Sequence, residues 1–194
     1  MTRQKRLTLV DLPAKKREHL ELCVHEAAHA VAGVVYGARL RSAVVASGRV
    51  IGNQGQTSFE PDDFPGYRKP EIAYSGSYGQ AKFRAGGRRP TQREFYAVLG
   101  TCGYEDDRSL TAAAAGSATG DHNARDVVPL LERCWPSVIT LARKLHRDGE
   151  LHHADVLAAL GITDGGGLTS VQLASIRSGL RSVPPIGSKH PAPA

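Results

Sequence analysis

The chain has 194 residues and a net charge of +6, with 41% apolar and 6% aromatic residues. This length suits one substantial core and is short for two full domains. No stretch approaches the roughly 18 uninterrupted apolar residues of a membrane span, and the basic start lacks the apolar run of a signal peptide. We therefore expect a helix-rich cytoplasmic protein without a membrane span.

Cysteine and charge usage narrows the class of protein further. Cys23, Cys102 and Cys134 are widely spaced, odd in number and outside any Cys-x-x-Cys pair, so we interpret them as reduced thiols. The basic residues form short clusters without an accompanying nucleic-acid-binding motif. Solvated surface is the favoured interpretation of these clusters, and nucleic-acid binding is the weaker one.

The first predicted element is a helix that follows a flexible basic arm at residues 1–12. Asp11 and Pro13 mark its start, and Gly37 ends it. Apolar residues recur in it at spacings of three and four, which predicts a core face. They are Leu20, Val24, Ala27, Val31 and Val35.

This helix carries a His-Glu-x-x-His box at His25, Glu26 and His29. Side chains four residues apart share one helix face, so both imidazoles can bind one divalent metal, with zinc expected. Glu26 is placed to take a proton from water at the open metal position. The box therefore predicts metal-assisted hydrolysis, with peptide bonds as the favoured substrate.

Isolated histidines often only form ordinary hydrogen bonds, so the helical context of the box matters. On a helical wheel His25 and His29 fall almost opposite the apolar stripe. We therefore expect one face of the helix in the core and the other lining a cleft.

After this helix the pattern predicts a β-hairpin within residues 40–59, with glycines in its connection. A helix over residues 71–83 follows, although Gly76 and Gly79 weaken that prediction. Thr91 and Glu94 form a capping box that opens a short helix. The acidic run at residues 105–107 marks the start of a further turn or helix.

The second half is again helical. Pro129 and Pro136 favour two helices between residues 121 and 149, the second opening near Trp135. A short helix is predicted over residues 153–160, and Thr169-x-x-Gln172 predicts the cap of a last helix. The predicted organisation is a mainly α domain over 13–163 with a small hairpin or sheet after the His-Glu-x-x-His helix. Residues 164–194 form a Gly/Pro-rich tail with a short helix.

A catalytic zinc site needs a third protein ligand, which must be remote in sequence because no His-x-x-Gly-x-x-His extension follows the box. Several acidic residues and one histidine remain open for this role. They are Glu71, Glu105, Asp106, Asp107, Asp121, His122 and Asp126. Asp121 is favoured because it follows a small, flexible run and opens a helix, whose backbone amides would orient a short carboxylate.

Several of these segments resemble the FtsH-type zinc metallopeptidases. The box resembles that family's His-Glu-Ala-Gly-His-Ala, and the hairpin falls where the family has a β segment. Residues 76–83 (GSYGQAKF) resemble its Gly-rich helix, and residues 116–125 (GSATGDHNAR) resemble the segment that carries its third zinc ligand. The resemblance spans roughly residues 14–161 and implies a zinc-peptidase fold with His25, His29 and Asp121 as metal ligands.

The chain departs from the family at three points. Ala28 replaces a glycine inside the box, and Gln80 stands where the family has a glutamate, which puts a supporting carboxylate there in doubt. The chain also contains no Gly-x-x-x-x-Gly-Lys-Ser/Thr loop, so we expect a peptidase module without its own ATPase.

The function expected from the sequence is a zinc-dependent endopeptidase in which Glu26 acts as general base. Its substrates would be flexible proteins or peptides, or proteins delivered by a separate ATPase or unfoldase. The alternative is a non-catalytic zinc-bound module that recognises a partner protein. Another metallopeptidase lineage with the same box is a further alternative.

Overall fold

The computed structural model describes residues 12–48, 52–102, 104–116 and 124–188, which form a mainly helical fold with a small antiparallel sheet. This confirms the expected fold class. The helices are α1 (Ala14–Val35), α2 (Lys69–Arg84), α3 (Gln92–Cys102), α4 (Tyr104–Gly116), α5 (Val128–Asp148), α6 (His153–Leu160) and α7 (Val171–Ser178), and the strands are β1 (Leu40–Gly48), β2 (Gly52–Phe59) and β3 (Glu150–Leu151). Within the described ranges, no helix is both long enough and apolar enough to cross a membrane.

Helix α1 is the central element of the fold. It packs against α2, α5 and the first two strands. Its predicted bounds are confirmed. The helix begins directly after Pro13 and ends just before Gly37, whose φ of 98° is incompatible with a right-handed helix. From Val24 onward its apolar stripe lies in the core, but His25, Glu26 and Ala28 are buried as well. The expectation of a single buried face is therefore wrong, because neighbouring elements cover both sides of the helix.

The predicted hairpin is confirmed, and a third strand extends it. β1 and β2 pair antiparallel from Leu40 opposite Phe59 to Gly48 opposite Gly52. β3 adds to the other side of β1, giving the order β2-β1-β3. β3 was not predicted, because a strand of only two residues has no alternation of polar and apolar side chains. β2 lies at the edge of the sheet and contacts α1.

Residues 128–148 form one continuous helix, so the prediction of two helices parting near Trp135 is wrong. Pro129 lies in the first turn, where the missing N–H costs nothing, and Pro136 lies inside the helix. An interior proline costs roughly 3 kcal/mol. Burial of the side chains on its apolar face offsets this cost. Leu131, Val138 and Leu145 are fully buried, and each contributes about 1.5–3 kcal/mol to stability.

The last two helices pack onto the same core. α6 occupies the predicted residues, and α7 exists, but its cap is Ser170 rather than Thr169. The Ser170 hydroxyl accepts a hydrogen bond from the Leu173 amide at 3.0 Å, and donates to Asp164. Leu173 and Ile176 are fully buried. The chain after residue 164 therefore contributes to the core that surrounds α1.

Candidate metal centre

Three side chains from two helices converge on one point beside α1. The Nε2 atoms of His25 and His29 lie 3.0 Å apart. Asp106, on α4, places Oδ2 3.3 Å from His25 Nε2 and Oδ1 3.4 Å from His29 Nε2. The side chains of His25, His29 and Asp106 are only 8%, 11% and 11% exposed. Two imidazoles and a carboxylate with this spacing could together hold one metal ion.

Hydrogen bonds behind the histidines fix which ring nitrogens face the centre. His29 Nδ1 lies 2.7 Å from the Ile72 carbonyl oxygen, which can only accept, so we assign the proton to Nδ1. His25 Nδ1 lies 3.2 Å from Gln80 Oε1, and the Gln80 amide donates to Glu21 at 3.4 Å. With both protons on Nδ1, the Nε2 lone pairs face the carboxylate of Asp106. In this tautomer both Nε2 atoms are available to a cation, and a proton shared between His29 and Asp106 can occupy the same place when no cation is bound.

The pKa values of the two histidines move in opposite directions. Burial lowers the pKa of His25 well below its ordinary value, and the neighbouring His29 lowers it further. Burial also lowers the pKa of His29, but the negative charges of Asp106 and Glu26 offset this, and its net pKa is raised. A neutral His25 is the form that binds a metal.

Asp106 was one of the open alternatives for the third ligand, and the structure brings it to the histidine pair. Ser77 on α2 donates a hydrogen bond to its Oδ2 at 3.0 Å, which holds the carboxylate in place. Asp107, the next residue, is exposed. The acidic run alone does not single out its middle residue, because the packing of α4 against α2 decides which carboxylate turns inward.

The remaining candidates for the third ligand lie outside the described residues or outside the His25, His29 and Asp106 cluster. Asp121, the favoured ligand, and His122 lie outside the described residues, and so does the side chain of Glu105. Glu71 forms an ion pair with Arg68 at 2.7 Å, and Asp126 is exposed. Asp121 therefore stays a prediction from the sequence.

Glu26 is buried beside the centre and is held by strand β2. Its Oε2 accepts a hydrogen bond from Thr57 Oγ1 at 2.7 Å. A Cβ atom at Gly55 would lie 2.5 Å from Glu26 Oε1, so only glycine lets the strand come this close. The sequence placed Gly55 and Thr57 in a hairpin and gave no signal that they contact the box.

Gly76 and Gly79 let α2 approach the box. A Cβ atom at Gly76 would lie 2.2 Å from His29 Nε2 and 2.7 Å from His25 Nε2, inside the ligand cluster. A Cβ atom at Gly79 would lie 2.7 Å from the Ala28 methyl group. The sequence indicated only that these glycines weaken a helix. Their structural role is to leave room for the imidazoles of His25 and His29 and for the Ala28 methyl group.

No protein-family model and no curated protein matches this chain, so the resemblance to FtsH-type metallopeptidases stays a prediction that rests on its own residues.

Gln80 orients His25 through its amide, where the resemblance implies a carboxylate. Replacing it with leucine removes the acceptor for His25 Nδ1 and leaves the ring free to change tautomer. We expect Gln80→Leu to weaken zinc affinity roughly 10- to 100-fold. Competition with a chelator of known affinity measures the effect, and Gln92→Leu on the exposed start of α3 is the control. Equal affinity in the two variants would contradict the positioning role.

Proposed function

We propose that the chain is a zinc-dependent endopeptidase whose metal ligands are His25, His29 and Asp106. The observation that carries this proposal is the convergence of two imidazoles and a carboxylate, all largely shielded from solvent, next to the buried carboxylate of Glu26. The spacing of 3.0–3.4 Å between their ligand atoms suits one divalent cation. Gln80 and the Ile72 carbonyl engage the Nδ1 atoms of His25 and His29, which leaves each Nε2 turned to the common point.

The mechanism assigns a separate task to each group. Zinc, when bound, lowers the pKa of water to roughly 7 and polarises the scissile carbonyl. His25, His29 and Asp106 hold the metal position. Glu26 accepts a proton from the attacking water and passes it to the leaving amine. Thr57 donates to Glu26 Oε2, which orients the carboxylate and leaves Oε1 to exchange the proton.

The proposal includes substrates that are flexible proteins or peptides, or proteins unfolded by a separate ATPase. Support comes from the strand beside the catalytic carboxylate: β2 is an edge strand, and its residues Gly55 and Thr57 contact Glu26. An extended backbone can add to such an edge, whereas a folded domain presents few free backbone groups. The cytoplasmic location expected from the sequence also belongs to this proposal, supported by the buried free thiols of Cys23 and Cys134.

The ligand set can be tested with single substitutions. We expect His25→Ala and Asp106→Asn each to lower zinc affinity by more than the roughly 100-fold upper range of a supporting contact. Asp107 is exposed and lies next to Asp106, so Asp107→Asn is the matched control and should bind zinc with wild-type affinity. Elemental analysis and chelator competition give the readout.

The same experiment compares the two candidates for the third ligand. Asp121→Asn is expected to keep its zinc under this proposal. Loss of zinc in Asp121→Asn, with retention in Asp106→Asn, would instead assign the ligand role to Asp121.

One observation favours the non-catalytic alternative. His25 and Glu26 are only 7% and 4% exposed, and a metal enclosed in this way is typical of structural sites. Under that alternative the zinc-loaded chain binds a partner protein and cleaves nothing. The Glu26 substitution argued in the Discussion separates the two functions.

A further inference from the structure

A second group of metal-binding side chains lies between α1 and α5, apart from the centre described above. His19 and Cys23 occupy successive turns of α1, and His146 comes from the last turn of α5. Their ligand atoms all lie within 4.8 Å of one another. The rings of His19 and His146 meet edge to face, with 5.1 Å between their centres.

The chemistry of this group differs from that of the His25 centre. It offers two imidazoles and a thiol, a combination that favours zinc over magnesium or calcium. His19 and Cys23 are four residues apart and therefore share one face of α1. Cys23 and His25 are two residues apart, so they point to different sides of the helix. None of these three residues takes part in the peptidase mechanism proposed above.

We infer that His19, Cys23 and His146 bind a second zinc ion that links α1 to α5. Cys23 is fully buried, His19 is partly buried and His146 is exposed, so the group opens toward solvent on one side. Water can fill the fourth position of a tetrahedral ion there. Zinc binds cysteine as the thiolate, so binding here releases the thiol proton to solvent.

The position of the group gives the ion a structural role. The first turn of α1 carries Lys15, Lys16 and Arg17, has no acidic residue, and follows Pro13 without a side-chain cap. Positive charges at a helix N-terminus oppose the helix dipole, so this end of α1 is intrinsically weak. An ion bound at His19 and Cys23 fastens the next turns to the C-terminal end of α5. Its binding free energy therefore stabilises the folded state.

Cobalt substitution tests this inference, because a cobalt–thiolate bond gives a near-ultraviolet charge-transfer band that imidazole and carboxylate ligands do not give. The full chain is reduced, stripped of metal with a chelator and titrated with Co²⁺ without oxygen. We expect two Co²⁺ per chain and a thiolate band. Cys23→Ser and His146→Ala should each lower the stoichiometry to one, with Cys23→Ser removing the band.

The controls separate this site from the His25 centre and from unfolding. Cys134→Ser replaces the other described buried thiol and should keep both ions and the band. His25→Ala should lose one ion and keep the band. His146 is exposed, so His146→Ala should fold normally, and added zinc should raise its melting temperature less than that of the wild type. A wild-type chain without a thiolate band, or a band that survives Cys23→Ser, would overturn the inference.

Discussion

Replacing Glu26 with glutamine is expected to lower kcat/KM for an unstructured protein substrate by roughly 10²- to 10⁴-fold, the usual contribution of a general base. Glutamine has nearly the same shape and can still accept the hydrogen bond from Thr57, so the surrounding structure should persist. It cannot take a proton from water. Zinc content should therefore stay at the wild-type level while hydrolysis falls. Elemental analysis and cleavage of a casein-like substrate measure both quantities on the same sample.

A second substitution tests the orientation of the carboxylate. Thr57→Val keeps the size of the side chain and removes the hydroxyl that donates to Glu26. A hydrogen bond to a charged group contributes about 1.5–3 kcal/mol, so a loss of roughly 10- to 100-fold in kcat/KM is expected, smaller than that of Glu26→Gln.

Full activity in Glu26→Gln would exclude the general-base role. A zinc-loaded wild type that cleaves no unstructured protein would favour the non-catalytic module.

The sequence predicts those features that depend on neighbouring residues. The bounds of α1, the shared face of His25 and His29, and the hairpin after the box all follow from local periodicity and from glycine and proline positions. The capping box at Thr91 is confirmed by reciprocal hydrogen bonds with Glu94. Each of these features depends on residues that are close together in the sequence, so the sequence alone is enough to predict it.

Features set by packing between distant segments were not predictable in this way. Asp106 lies 77 residues after His29, and only the contact between α2 and α4 turns it toward the histidines. The prolines of α5 indicated a break, but burial against α1 holds the helix together. Gly76 is the clearest example. Its low helix propensity argued against a helix, but glycine is needed there because the imidazoles of His25 and His29 leave no room for a Cβ atom.

Gly76→Ala should therefore remove metal binding while leaving the fold largely intact. The added methyl carbon would lie 2.2 Å from His29 Nε2 and 2.7 Å from His25 Nε2, well inside any allowed contact. Either the imidazoles rotate away or α2 moves outward, and both displace the ligand atoms from a common point. We expect zinc affinity to fall by more than roughly 100-fold, and hydrolysis to fall with it. Chelator competition and substrate cleavage measure the two effects.

Two glycines in other settings serve as matched controls for Gly76→Ala. Gly100→Ala in α3 meets no atom within 4 Å and should gain about 0.5–1 kcal/mol from helix propensity, with zinc affinity unchanged. Gly79→Ala presses on the Ala28 methyl group at 2.7 Å, so it strains the same helix pair without touching a ligand atom. It should cost roughly 1–3 kcal/mol of stability and retain zinc. Equal loss of zinc in the Gly79 and Gly76 variants would show that helix spacing, rather than room for the ligand atoms, controls the centre.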